Sequence, residues 1–443
     1  MGAEKSAVSR DFVLPVILEN MVTLGVGLLF SQVISTISES ALAATGMANT
    51  ILAMVFAAFA VVVTGSSVVV SRQTGEGDLR GAAETVERTG GVSLLLSVGA
   101  AALLIAFASG LLRLLMPTAE PAFFGEALRY FRVLMVSLPL YILHSVFAGV
   151  CRSMGDTVRP MRAYVVMNLS QLAFAWLFIR VLGMEELGAA LTYVCCRAVG
   201  VVLTAAALHK NRHGVPIRFG RMLRLRGGAE TVKRVMRVGA PVSLSNTIVQ
   251  VGYLLINSIA VSLGTFASGV YQILMTVNTF IGIPQGICST IALPVVGNLL
   301  GAKRVRDAKR AGIRIWLLGI AATVALGLIV WLGADTFCGW YSSNAEMAAE
   351  SARILWILIV MDVAGVAINA MDPQLQAGGD VRFVMIYTVI CVWVVRLPLS
   401  WLFSYRLHYG VMGLFAANTI SLYLRAVIGI VRHAGRRWYA KKV

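Results

Sequence analysis

The chain has 443 residues, of which 58% are hydrophobic and only 13% charged, and its mean hydropathy is +0.80. Soluble domains hold about 45–50% apolar and about 25% charged residues, so an ordinary soluble globular protein is excluded. The net charge of +17 invites a nucleic-acid partner, and the placement of the basic residues decides against it.

Apolar runs near the roughly 20 residues that a helix needs to cross a bilayer recur along the whole chain. They predict twelve spans, at about 12–33, 47–71, 89–112, 127–150, 163–182, 187–208, 238–261, 267–299, 315–334, 351–371, 383–405 and 410–431. Met1 to Asp11 is short and polar and lacks a small-residue cleavage site, so the first span is expected to remain as an uncleaved helix. When both ends and the even-numbered connections are set on one side of the membrane, that side holds 29 of the 38 Lys and Arg. The positive-inside rule then predicts a multi-pass protein of the plasma (inner) membrane with both termini cytoplasmic. No nucleic acid is expected as a partner, and the basic loops can meet anionic membrane lipid without a dedicated site.

The punctuation between spans is written twice. Pro15, the Gly75-Glu76-Gly77-Asp78 connection and Gly155-Asp156 are followed in the same order by Pro241, Gly301-Ala302-Lys303-Arg304 and Gly379-Asp380, at offsets of 226, 226 and 224. A repeat this long is a duplicated domain rather than a solenoid unit. The expected fold is an all-α polytopic membrane protein, with twelve transmembrane helices in two six-helix bundles related by a pseudo-two-fold along the membrane normal, because six spans per half leave both halves starting on the same side. The expected boundaries are 1–208 for the first bundle, 209–237 for a basic cytoplasmic linker with nine Lys and Arg, and 238–443 for the second bundle with its short basic tail.

Enzyme chemistry finds no support. The six cysteines show no metal spacing and read as small buried side chains. Gly75-Glu76-Gly77 lacks the Gly-Lys-Ser/Thr of a phosphate loop, and no ATPase module is present, so uphill transport would draw on a proton or sodium gradient with no cofactor. Asp156 and Asp380 are expected to cap the helices that follow their glycine turns.

Few polar groups fall inside the spans, where an Asp costs about 2.5–3.5 kcal/mol on insertion scales and therefore faces a partner or a wet cavity. Asp362, near the middle of span ten, is the first candidate for coupling or cation binding; the alternative is a carboxylate paired with Arg396 of span eleven. Asp11 and Asp372 lie near span ends. Glu19 and Asn20 follow Pro15, as Ser245 and Asn246 follow Pro241; they either cap carbonyls freed by the proline or, for Glu19, bind a cation. His144 is either a proton relay or a packing histidine. Gln250, Asn257, Gln272, Asn278, Gln285 and Asn369 place most intramembrane amides in the second half, where helix-to-helix hydrogen bonds are their default use.

Several stretches resemble multidrug and toxic compound extrusion (MATE) transporters: Leu14-Pro15, Ala41-Leu42-Ala43-Ala44-Thr45-Gly46, Gly75-Glu76-Gly77-Asp78, Arg152-Ser153-Met154-Gly155-Asp156-Thr157 and Arg396-Leu397-Pro398-Leu399. The resemblance covers both repeats. It implies two six-helix bundles around a central cavity and antiport of organic, often cationic xenobiotics against sodium ions or protons. Many relatives carry an aspartate fifteen residues after the first proline and another acid in the fifth helix; here those positions are Phe30 and, nearby, Ala175. The polar machinery is thus expected in the second half. The candidate residues for substrate or ion are Asp362, Glu19, Asn20, Asn246, Gln250, Asn257, Asn278, Asn369 and Arg396, with Asp362 the metal ligand if sodium couples. The expected function is secondary export of an organic, cationic or amphipathic compound by a monomer working through alternating access. The alternative is a flippase for lipid-linked precursors, which would call for a cationic cleft.

Overall fold

A computed structural model of the chain describes residues 10–35, 39–115, 121–210, 215, 217–222, 229–341, 344–435 and 438–439. The side chains of Asp11 and of Ala41 to Ala44 lie outside the described residues, as do residues 211–214, 216 and 223–228 of the basic linker. The described chain is helical throughout, without strands. No water inside a bilayer can satisfy an exposed backbone group, so a helix that closes its own hydrogen bonds is the solution available to each apolar run.

Two compact units are present, Ser9–Ala240 and Pro241–Val443. The first holds α1 (Arg10–Ser35), α2 (Glu39–Glu76), α3 (Leu79–Ala106), the short α4 (Ala108–Leu115), α5 (Pro121–Val136), α6 (Leu138–Ser153), α7 (Val158–Ala175) and α8 (Glu185–His209). Helix α9 (Ala229–Ser262) begins in this unit and runs into the second. There follow α10 (Thr265–Ile281), α11 (Ile283–Gly301), α12 (Val305–Leu332), α13 (Ala334–Gly339), α14 (Ala345–Ile354), α15 (Trp356–Ala377), α16 (Val381–Val389), α17 (Leu397–Trp401) and α18 (Gly410–Ala434). Wide π-type turns continue α7 over Trp176–Val181 and join α16 to α18 over Ile390–Arg396 and Leu402–Arg406.

Twelve segments among the described residues are long and apolar enough to cross a membrane, in agreement with the number read from sequence. Two details differ from that reading. Residues 229–237, expected as linker, already belong to helix α9. The eighth span is two helices that meet at Gly282, because Pro284 supplies no backbone donor at the start of α11. The cysteines are unbonded, and all but the half-buried Cys195 are buried.

The duplicated punctuation is duplicated geometry. Gly77 (φ +81°) is matched by Lys303 (+58°), Gly155 (+82°) by Gly379 (+87°), Gly183 (+62°) by His408 (+56°) and Glu185 (+45°) by Gly410 (+53°). The same hydrogen bonds close the turns: Asp78 N to Gln73 O at 2.9 Å answers Arg304 N to Leu299 O at 2.8 Å, and Asp156 N to Cys151 O at 3.1 Å answers Asp380 N to Leu375 O at 2.9 Å. Left-handed backbone costs a residue with a Cβ roughly 1–2 kcal/mol, so Lys303, His408 and Glu185 hold this conformation because the turn demands it.

In lipid, helices gain little from burying apolar surface and are held by close packing, often at small residues. Gly91 of α3 shows how close. A Cβ there would lie 1.9 Å from the carbonyl oxygen of Met222, whose buried side chain docks the described part of the linker on this unit together with Val215 and Ile217. The backbone N of Arg218 also donates to Glu87 Oε1 at 2.7 Å. Gly99, two turns further along α3, has nothing within 4 Å of a Cβ. Gly91→Ala is therefore expected to destabilise the folded protein by about 1–3 kcal/mol through overpacking, with Gly99→Ala close to neutral. Thermal unfolding of the detergent-solubilised protein checks the contrast.

Candidate functional site

The second unit assembles the polar cluster around Asp362. This carboxylate, 2% exposed, lies on α15. Asn278 Nδ2, from the last turn of α10, donates to its Oδ2 at 2.8 Å, and Gln285 Nε2, from the first turn of α11, donates to its Oδ1 at 2.7 Å. The break at Gly282 is what lets both ends of one span address the same group. Gly365, three residues after Asp362, leaves the room: a Cβ there would sit 2.7 Å from Gln285 Oε1. Asn369 Nδ2 then donates to Gln285 Oε1 at 3.1 Å and to its own helix at Gly365 O, at 2.9 Å. One carboxylate and three carboxamides thus form a connected network, and no ion pair reaches Asp362 among the described residues.

That result corrects the expected pairing with Arg396. The guanidinium of Arg396, 3% exposed at the end of the π-type turn, lies over the ring of Tyr253 at 4.3 Å, with Tyr271 within its electrostatic reach. Its Nε has no hydrogen-bond partner, and no carboxylate pairs with it among the described residues. The turn that winds five residues per hydrogen bond there carries Arg396 to the aromatic face and away from α15's acid.

The other candidates scatter. Asn257 accepts from Gln272 Nε2 at 2.9 Å in an exposed contact between α9 and α10, the bridging use expected of an intramembrane amide. Asn246 is exposed, and neither it nor Gln250 makes a side-chain hydrogen bond among the described residues. Asn20 donates to Val16 O at 2.8 Å, not to the carbonyl that Pro15 frees four residues before it. Glu19 caps nothing: Arg152 Nη2 of α6 donates to its Oε1 at 2.5 Å. Arg152 also faces the ring of Tyr164 at 5.3 Å. His144 packs edge-on to Tyr164 at 4.4 Å, with Thr204 Oγ1 at 3.4 Å from its Nδ1 and no acid beside it. This is the packing histidine, not the relay.

Sequence reasoning missed two arrangements. In the second unit, Asp372 accepts from both Arg425 of α18 and the Tyr387 hydroxyl. It repeats the acid, arginine and tyrosine of the first unit: Tyr387 follows Tyr164 by 223 residues, but the acid and the arginine come from helices that do not correspond, so the repeat does not announce the pair. In the first unit, where relatives place an acid, Phe30 packs edge-on to Tyr193 at 5.1 Å. Arg197 lies over the rings of both Tyr193 (4.9 Å) and Tyr141 (4.5 Å), and donates to Ser137 Oγ. The helix cap expected of Asp156 is present, with Arg159 N donating to its Oδ1 at 3.1 Å. Asp380 makes no such cap and is bound by Arg432 Nε at 2.6 Å.

The sequence model of the MatE family matches residues 15–177 and again 241–402. The chain is 21% identical to an uncharacterised transporter, YisQ, of Bacillus subtilis, over 96% of this chain and 94% of that protein. It is 22% identical to the probable multidrug resistance protein NorM of Thermotoga maritima, over 97% and 92%. Among solved structures, a MOP superfamily transporter from Pyrococcus furiosus superposes with a TM-score of 0.89 at 22% identity, covering 97% of this chain and 95% of that one. For that protein, reversed polarity of the binding pocket has been taken to suggest a different function.

The buried Arg396 and the half-buried Arg425 of the second unit should respond oppositely to loss of charge. Removing one partner of a buried ion pair costs about 3–5 kcal/mol, whereas an unpaired buried ion is itself a burden of several kcal/mol, only partly offset by about 2 kcal/mol from an aromatic face. Arg425→Met is expected to destabilise by about 3–5 kcal/mol, and Arg396→Met to be neutral or stabilising. Unfolding midpoints of the two variants in detergent decide it.

Proposed function

Because the chain belongs to the MatE family of transporters, we propose that it is a secondary active exporter of organic, amphipathic compounds, working by alternating access and driven by a proton or sodium gradient through Asp362. Both termini would face the cytoplasm of a cell bounded by the plasma membrane in which the protein sits, as the basic loops indicate. The observation that carries the coupling role is the Asp362 cluster itself. Among the described residues this intramembrane carboxylate is held by amides, with no cation paired to it.

Carboxamides suit such a task because each offers an oxygen and an NH2 group and can exchange them by a half-turn. With Asp362 ionised, Asn278 and Gln285 donate to it. With Asp362 protonated, one amide turned over would accept the new O–H. With sodium bound, the carboxylate and the turned amide oxygens would supply hard ligands. An Arg in the same place would lock the ionised form, which is why the separation of Arg396 from Asp362 favours coupling over a structural pair.

A second reading of the substrate is favoured by Arg197 and Arg396. Each unit buries an arginine among tyrosine rings with no carboxylate paired to it among the described residues. Such a cation suits a substrate that carries an anionic group, and the reversed polarity described for the Pyrococcus protein is a precedent on the same fold. A flippase for lipid-linked precursors is not favoured by the family match.

In proteoliposomes with separately imposed pH and sodium gradients, efflux of a fluorescent amphipathic compound is expected to follow one of the two. Asp362→Asn should abolish the gradient-driven part while the variant remains folded and inserted. Undiminished export in that variant would remove Asp362 from the mechanism. Competition by matched cationic and anionic compounds separates the two readings of the substrate.

A further inference from the structure

A cavity of about 220 Å³ lies against the first unit, between the start of α7 and the end of α8. Positions 159, 162, 163 and 166 share one face of α7, and 203, 206, 207 and 210 share one face of α8, at the three- and four-residue spacing of neighbours on a helix. The lining divides by chemistry. Arg159, Arg162 and Lys210 lie toward the helix ends, and Ala163, Leu203 and Ala207 continue it along the helices. The alanines leave the space open, since any longer side chain there would occupy it.

Two of the three basic groups lining this cavity meet no carboxylate among the described residues. Arg159 pairs with Asp156 at 2.8 Å, but Arg162 and Lys210 are exposed and have no carboxylate partner among the described residues. Beyond the cavity the same surface stays apolar and open, with Val166 46%, Leu169 55% and Val202 67% exposed. The feature is therefore amphipathic, with two free cations at the membrane face and an apolar track running from them into the bilayer.

The duplication supplies an internal comparison. Displaced by the 224 residues that separate Asp156 from Asp380, Arg159 and Arg162 fall on Phe383 and Ile386. In the second unit Arg432 is engaged by Asp380 and lies over the ring of Phe383 at 4.5 Å. The glycine turn is common to both halves and these two arginines are not, so the turn does not require them.

We propose that this cavity is a binding site for an anionic phospholipid, with the headgroup phosphate between Arg162 and Lys210 and an acyl chain along Leu203 and the alanines. Basic pockets between transmembrane helices at a membrane face recognise headgroups in this way. A free phosphate would use the two cations and leave the apolar track idle; a zwitterionic lipid would bring its own cation against them.

The test is native mass spectrometry of the full chain in detergent, titrated with phosphatidylglycerol or phosphatidylcholine. One phosphatidylglycerol is expected to be retained in preference to phosphatidylcholine. The double variant R162A/K210A, which removes only exposed side chains, should weaken that retention by on the order of thirtyfold. Ala206→Trp, which fills the groove without changing charge, should weaken it as well. Arg382→Ala, an exposed arginine beside the corresponding turn of the second unit, should leave it unchanged. Equal retention of the two lipids, an unaltered double variant, or displacement of bound phosphatidylglycerol by millimolar inorganic phosphate would each overturn the proposal.

Discussion

A charge taken out of water must be met inside the protein, and this requirement orders the contacts of the buried charged groups. Besides Glu87, which accepts from a backbone N–H, three solutions occur among the described residues. Glu19 with Arg152 and Asp372 with Arg425 are ion pairs completed by a tyrosine. Asp362 is held by carboxamides. Arg197 and Arg396 lie against aromatic rings. The solutions differ in what they permit. A hydrogen-bonded ion pair cancels its own charge and is costly to break, because either partner alone would be left uncompensated. An amide cage or a ring face leaves the net charge in place, available to a proton, an ion or a substrate. The paired groups therefore read as scaffold and the unpaired ones as working parts.

The backbone obeys the same requirement one level down. Three interruptions of the spans put a polar side chain where a regular helix would not. The break at Gly282 turns Asn278 and Gln285 toward one carboxylate. The break between α5 and α6 leaves Ser137 to receive Arg197. The π-type turn ending at Arg396 carries that residue to Tyr253. Irregular backbone in a membrane is tolerated only where protein or a cavity covers it, so these positions mark the interior of each unit.

The fold was legible in the sequence because its cause is carried by many residues at once: run length, basic loops and a repeat with constant offsets each speak for the whole chain. The repeat ran deeper than its letters. Lys303 holds the left-handed turn that Gly77 announces, His408 answers Gly183 and Glu185 answers Gly410, so three of the four matched positions were hidden by side chains that no turn rule would favour. Asp362 was legible for a similar reason, since an acid inside an apolar run stands alone. Its partners were only half legible. Asn278, Gln285 and Asn369 were visible as intramembrane amides, but their convergence depends on a helix break whose direction composition does not encode. The alternative pairing of Arg396 with Asp362 does not form: it presumes regular helix geometry, and the π-type turn rotates Arg396 elsewhere.

The repeat is thus a constraint on turns and helix count, and a weak one on charge. The acid, arginine and tyrosine groups recur in both units, yet only the tyrosines sit on corresponding helices, α7 and α16; the acid and the arginine come from α1 and α6 in one unit and from α15 and α18 in the other. Local electrostatic demand is met by whichever helices supply the groups, whereas turn geometry must be met by the residue at that point in the chain. Duplicated halves can therefore diverge in their buried charges without altering the scaffold. Here the first unit has Phe30 and Ala175 at the positions where the resemblance leads one to expect acids, and Asp362 stands without a paired cation among the described residues of the second. With its turns fixed and its charges free to move, such a fold changes what it carries by relocating a few side chains.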